Sequence, residues 1–131
     1  MPTTLCLDLG NTRLKWAIFN NDQISHTGIL RNDGVEDLRN CVDTYQPDNS
    51  ILSSVVDHSS LLEDLLKSHT HFHRLSHQSR VPITTPVGKP ETIGADRLAL
   101  VVGASHYFPD KNNLVIGLGS AVTYNYINRF H

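Results

Sequence analysis

The run Asp8-Leu9-Gly10-Asn11-Thr12-Arg13-Leu14-Lys15 gathers phosphate-handling groups into one short stretch. The apolar residues Leu5 to Leu9 predict a strand that delivers the Asp8 carboxylate to the mouth of a turn. Gly10 lets backbone approach a ligand closely, Asn11 and Thr12 add short donors, and consecutive amides in such a turn form a nest for phosphate oxygens. Asp8 suits Mg²⁺, held directly or through water, because this hard ion takes carboxylate and phosphate oxygens and keeps several waters. Lys15 follows as a point charge for the same polyphosphate. A bare Asp-x-Gly also serves an ordinary hairpin; the full run points to a nucleotide-facing turn.

A second constellation is Gly94-Ala95-Asp96-Arg97. A glycine opening a helix permits close approach where free amides and the dipole favour an anionic group. Arg97 offers a planar fork to an acceptor on a substrate, and Asp96 can take the proton of an alcohol while orienting its oxygen. The same two residues also cap ordinary core helices. A third glycine turn, Gly117-Leu118-Gly119-Ser120, lacks the spacing of a hydrolase nucleophile elbow. His69, His71 and His73 alternate with His77 nearby, but no cysteine or carboxylate is interleaved for zinc, so they read as a surface strand. Trp16 and Tyr124 each follow a glycine turn within a strand pattern and read as core.

The elements that must position these groups follow from periodicity. Strands are expected at Leu5–Leu9, Leu14–Asn20 and Gln23–Leu30, forming a meander with Asn20-Asn21-Asp22 as its second turn. Asp33-Gly34 opens a helix over Val35–Tyr45 whose apolar residues recur at helical spacing. A strand over Ser50–Val56, a helix capped by Ser59 or Ser60 and running to Lys67, and a short strand at His71–Leu75 come next. Gln78 to Glu91 is rich in proline, threonine and glycine and reads as a long functional loop. Thr92–Tyr107 suits a helix, and strands at Leu114–Ile116 and Ala121–Ile127 close the chain. CLDLGNTRLKWAIF and VIGLGSAVTYNYI echo one another as strand, glycine turn, strand. The second echo opens a meander that the sequence does not finish, so the chain reads as truncated near Asn128–His131.

The 131 residues are 39% hydrophobic and 18% charged, which suits a folded domain and excludes a disordered one. The 11 basic residues are scattered and the formal net charge is −2, which argues against nucleic acid as a partner. Cys6 and Cys41 form no CxxC pair or metal spacing, which suits a reducing cytoplasm. The first residues lack the basic and apolar regions of a signal peptide, and no stretch is long enough to span a bilayer.

Taken together, DLGNTRLKW, PETIGADRLA at 90–99 and GLGSAVTYNY at 117–126 resemble the type III pantothenate kinases of the actin-like sugar kinase and Hsp70 superfamily. The resemblance implies an α/β ribonuclease-H-like fold, a mixed sheet with flanking helices, as the first of two lobes. It implies residues 1–115 as that lobe and 116–131 as the start of the second. It also implies phosphorylation of pantothenate by ATP and Mg²⁺, the first step toward coenzyme A, by a cytoplasmic homodimer. Asp8 to Lys15 and Ser120 fall on its ATP-binding segments, Gly94 to Arg97 on its substrate-binding segment, and Asp96 on its proton acceptor. Three positions depart from the family pattern. Gly117 stands where members carry an Asp associated with K⁺ or NH₄⁺, Ser120 where they carry Thr, and Val87 where a substrate-contacting Tyr is usual. Such departures also suit a non-catalytic sensor that kept the fold, or a kinase for another small alcohol. Because the nucleotide of this superfamily lies between two lobes, these residues alone are expected to have little or no kinase activity.

Overall fold

The computed structural model describes residues 2–84, 92–119 and 121–130. The chain divides into two compact units, Met1–Arg74 and Leu75–His131.

The first unit is built on β1 (Thr3–Leu9), β2 (Leu14–Asn20), β3 (Gln23–Leu30), β4 (Asn49–Ser54) and β5 (His71–Arg74), with helices α1 (Val35–Tyr45) and α2 (Ser60–His69). The strands lie in the order β3-β2-β1-β4-β5. β1, β2 and β3 pair antiparallel, whereas β4 joins β1, and β5 joins β4, in parallel. Parallel neighbours need crossovers, and α1 and α2 supply them. This mixed sheet with flanking helices is the ribonuclease-H-like arrangement of a first actin-like lobe.

One face of the sheet is apolar because side chains alternate along a strand. Leu5, Leu7, Leu9, Ile18, Leu30 and Leu52 point to that face and pack with Leu38 and Val42 of α1 and Leu62 and Leu66 of α2. Trp16 leans on this core and stacks 5.7 Å from Tyr45, whose other neighbour is His26 at 4.7 Å. Gly28 sits under the Trp16 indole: a Cβ there would lie 2.5 Å from the ring. α1 starts where the sequence predicts. Gly34 takes φ 85°, a conformation that suits glycine, and Asp33 Oδ1 accepts from the Val35 amide at 3.1 Å. α2 is capped by Ser59, whose Oγ accepts from Leu61 N at 3.2 Å.

The second unit holds α3 (Ala95–Tyr107), β6 (Asn113–Leu118) and β7 (Val122–Ile127). β6 and β7 form an antiparallel hairpin against which α3 packs. The turn echoes the first one: Gly119 N donates to Ala121 O at 3.1 Å, as Gly10 N donates to Arg13 O at 3.0 Å. The face that meets α3 carries Val115, Gly117, Thr123, Asn125 and the buried Ile127. Leu100 approaches Gly117 and Thr123, and Arg97 reaches Asn125. Leu114, Ile116, Leu118, Val122, Tyr124 and Tyr126 are therefore left exposed on the other face. Tyr124, expected in the core, is 64% exposed; its side of the hairpin is the one α3 does not cover. His69 closes α2 rather than joining a strand, so only His71 and His73 share a strand face.

Candidate functional site

The Gly10–Leu14 turn lines one side of a cleft of about 510 Å³. Its other walls are Asn32 and Asp33 after β3, and Val56, Asp57, His58 and Ser59 after β4. These loops meet because β1 and β4 run parallel and end together: Leu9 lies opposite Ser54, and the Val55 amide donates to Leu9 O at 3.1 Å. Three segments distant in sequence thus gather at one end of the sheet, where ligands bind in open α/β folds.

Asp8 and Lys15 do not line this cleft. They pair directly across β1 and β2, both exposed, on the face opposite Leu7 and Leu9. Leu9 is wholly buried in the core, so it supports the turn from beneath. Gly10 directs its amide into the turn and takes no positive φ, and a Cβ would sit at an ordinary 3.5 Å from Arg13 O. The Gly10 amide is therefore committed to closing the turn. Asn11, Thr12 and Arg13 form the exposed tip.

A single exposed carboxylate at a strand end fits Mg²⁺, which takes few protein ligands and keeps its waters. Among the described residues there is no group of three or more His, Cys, Asp or Glu side chains placed to hold a metal ion. The monovalent cation fits less well. Gly117 carries no ligand side chain, and a Cβ there would lie 2.6 Å from Thr123 Oγ1 and 3.0 Å from Leu100 Cδ1. The space a family Asp would occupy is already filled.

In the second unit, Gly94 is the N-cap of α3 with φ −65° and ψ 140°, and Asp96 lies half-buried in the first helical turn. Arg97 is anchored to β7: Nε donates to Asn125 Oδ1 at 2.8 Å and one terminal nitrogen donates to Tyr124 O at 3.2 Å. Two of the five guanidinium donors are thereby used within the protein, so the fork can present only its remaining edge. Ser120 and Val87 lie outside the described residues.

Burial pushes the Cys6 thiol up, and burial together with the neighbouring Asp37 charge raises that of Cys41 to about 11. Both remain neutral thiols near pH 7, which fits packed apolar groups and not nucleophiles.

The family model for type III pantothenate kinase matches residues 4–131. The chain belongs to the type III pantothenate kinase family. Among its relatives is a type III pantothenate kinase from Christiangramia forsetii, 35% identical over 123 residues, covering 92% of this chain and 51% of that protein. Those from Azobacteroides pseudotrichonymphae and Cytophaga hutchinsonii are 33% and 31% identical, each covering 95% of this chain and 51% of their own length. The chain therefore spans about half the length of these family members. No described helix is long and apolar enough to cross a membrane.

Sequence reasoning missed the loop after β4. Val56, Asp57, His58 and Ser59 come to the cleft through the parallel pairing of β1 and β4. The available signal was the Ser53-Ser54 end of an apolar strand followed by a helix cap.

Proposed function

We propose that this chain supplies the first lobe of an enzyme that transfers the γ-phosphoryl group of ATP to the primary alcohol of pantothenate, the first step toward coenzyme A. The observation that carries the reading is the family match over residues 4–131. ATP supplies the phosphoryl group, and Asp8 would hold Mg²⁺, which would neutralise phosphate charge there. Within the Asp8–Lys15 nucleotide segment, Asp8 and Lys15 present their side chains from the exposed sheet face and Asn11 to Arg13 from the tip of the turn, Leu9 supports them from the core, and Ser120 adds a hydroxyl. Asp96 accepts the alcohol proton as the oxygen bonds to phosphorus and the bond to the ADP oxygen breaks. Gly94, Ala95 and Arg97 hold pantothenate, the α3 N-terminus favouring its carboxylate. Such catalysis is mostly positioning and charge neutralisation. Residues 1–115 form the lobe and 116–131 begin the second; the protein is a cytoplasmic homodimer that takes neither nucleic acid nor membrane as a partner.

The test is coupled ADP release with pantothenate, using the 131-residue chain and the longest product of its reading frame. The long product is expected to turn over and its Asp96→Asn variant to lose about 10²–10⁴-fold in rate. The 131-residue chain is expected to be nearly inactive. Absence of turnover by the long product, or an active Asp96→Asn variant, overturns the reading. The departure at Gly117 suits one alternative, a sensor that binds nucleotide without turnover, which ATP-Mg²⁺ binding in calorimetry with no ADP release identifies.

A further inference from the structure

The side chain of His58 is 6% exposed although it sits in the loop between β4 and α2. Its Nε2 lies 2.8 Å from Glu63 Oε2, and the same carboxylate oxygen accepts from Arg74 Nη1 at 3.2 Å. Its Nδ1 lies 3.0 Å from Ser54 Oγ, which in turn donates to Val56 O at 2.8 Å and is approached by Val56 N at 3.4 Å. One imidazole thus ties the first turn of α2, and through it β5, to the tight bend at the end of β4.

That bend matters to the neighbouring strand. Ser54 lies opposite Leu9, and Val55, the next residue, makes the last rung between β4 and β1 by donating to Leu9 O just before Gly10. Val56 to Ser59 then form the cleft wall facing Gly10–Leu14. The two core strands of the lobe end in exposed loops, and backbone that carries ligands needs a rigid support. His58 provides it with a buried, doubly bonded ring where a glycine or lysine would leave the loop mobile.

We infer that His58 is a positioning residue for the nucleotide-facing turn: through Nδ1 it holds Ser54, and with it the Val55–Leu9 rung and the wall opposite Gly10–Leu14, while Glu63 keeps the ring in place. This role rests on the nucleotide reading of the turn given above. It acts through Ser54, so an amide near the Nδ1 position should replace most of it, whereas loss of the ring leaves Ser54 and the Glu63 carboxylate without their shared partner.

The test compares wild type, His58→Ala and His58→Asn of the 131-residue chain. Hydrogen exchange is followed residue by residue, and binding of Mg²⁺ with β,γ-imido-ATP is measured by calorimetry. In His58→Ala the Val55 amide should exchange about tenfold faster while α1 and β3 keep their protection, and nucleotide affinity should fall about tenfold. His58→Asn should return both to within about twofold of wild type. Unchanged exchange at Val55, or wild-type affinity in His58→Ala, overturns the inference. So does an Asn variant as weak as Ala. A wild-type chain that binds no nucleotide sinks the reading of the turn instead, and exchange at Val55 still decides whether His58 holds the loop.

Discussion

Replacing Gly117 by alanine sets two known effects against each other. Alanine in a strand interior ordinarily gains about 0.5–1 kcal/mol over glycine, because the unfolded chain loses less entropy. Here the added methyl would stand 2.6 Å from Thr123 Oγ1 and 3.0 Å from Leu100 Cδ1. Overpacking of this kind costs about 1–3 kcal/mol, towards the upper part because Thr123 is β-branched and turns stiffly. The net expectation for Gly117→Ala is a loss of about 1 kcal/mol, read as a lower midpoint in urea with unchanged slope. Thr123→Ala removes the nearer obstacle, leaving its own Cβ at 4.0 Å. The double variant should therefore recover about 1 kcal/mol relative to the sum of the singles. A stabilised Gly117→Ala, or strict additivity, would refute the claim that this position is sterically closed. The consequence reaches function: an aspartate is then excluded from position 117 by Thr123 and Leu100 together.

Three further outcomes are expected. Leu52→Ala empties a site at the centre of the sheet that is wholly shielded from solvent, so it should cost about 3 kcal/mol and lower Tm by roughly 10 °C in calorimetry; a shift under about 2 °C would contradict the packing. Gly28→Ala places a methyl within 2.5 Å of Trp16 and should displace the indole, seen as altered tryptophan fluorescence and a loss of about 1–3 kcal/mol in urea. The Asp37 carboxylate bonds to the side chain and amide of Arg31, which holds its pKa at about 2 against an ordinary 3.8. A depressed acid contributes its stability above the unfolded value, and that contribution is lost as pH falls through about 2. Asp37→Asn should therefore flatten the acid limb of the stability profile between about pH 4 and 2, and an unchanged limb would show the pair to be inert.

The sequence showed most elements because their periods are clear. Val35, Leu38 and Val42 recur at helical spacing, and the glycine at 34 marks the helix start it proves to cap. What remained hidden depends on which face a neighbour covers. Val122, Tyr124 and Tyr126 alternate perfectly well with Thr123 and Asn125, but the pattern cannot say which of the two sides α3 covers. The same holds at the first turn. Its residues were legible as chemistry, yet the commitment of the Gly10 amide and the separation of Asp8 and Lys15 from the cleft follow from strand pairing. The His58 bridge was least legible, since a histidine five residues before a glutamate carries no local period.

β1 is paired by two very different routes. On one side it meets β2, its immediate successor; on the other it meets β4, which arrives only after β3 and α1 have been made. Hairpins close in about 1–10 μs, whereas partners distant along the chain must first overcome loop entropy. The glycine turn can thus take shape early on the ribosome, before its opposite bank is synthesised. Slips in the later step would leave a nascent chain with a finished hairpin and a bare edge on its central strand, the state most open to mispairing with a neighbour.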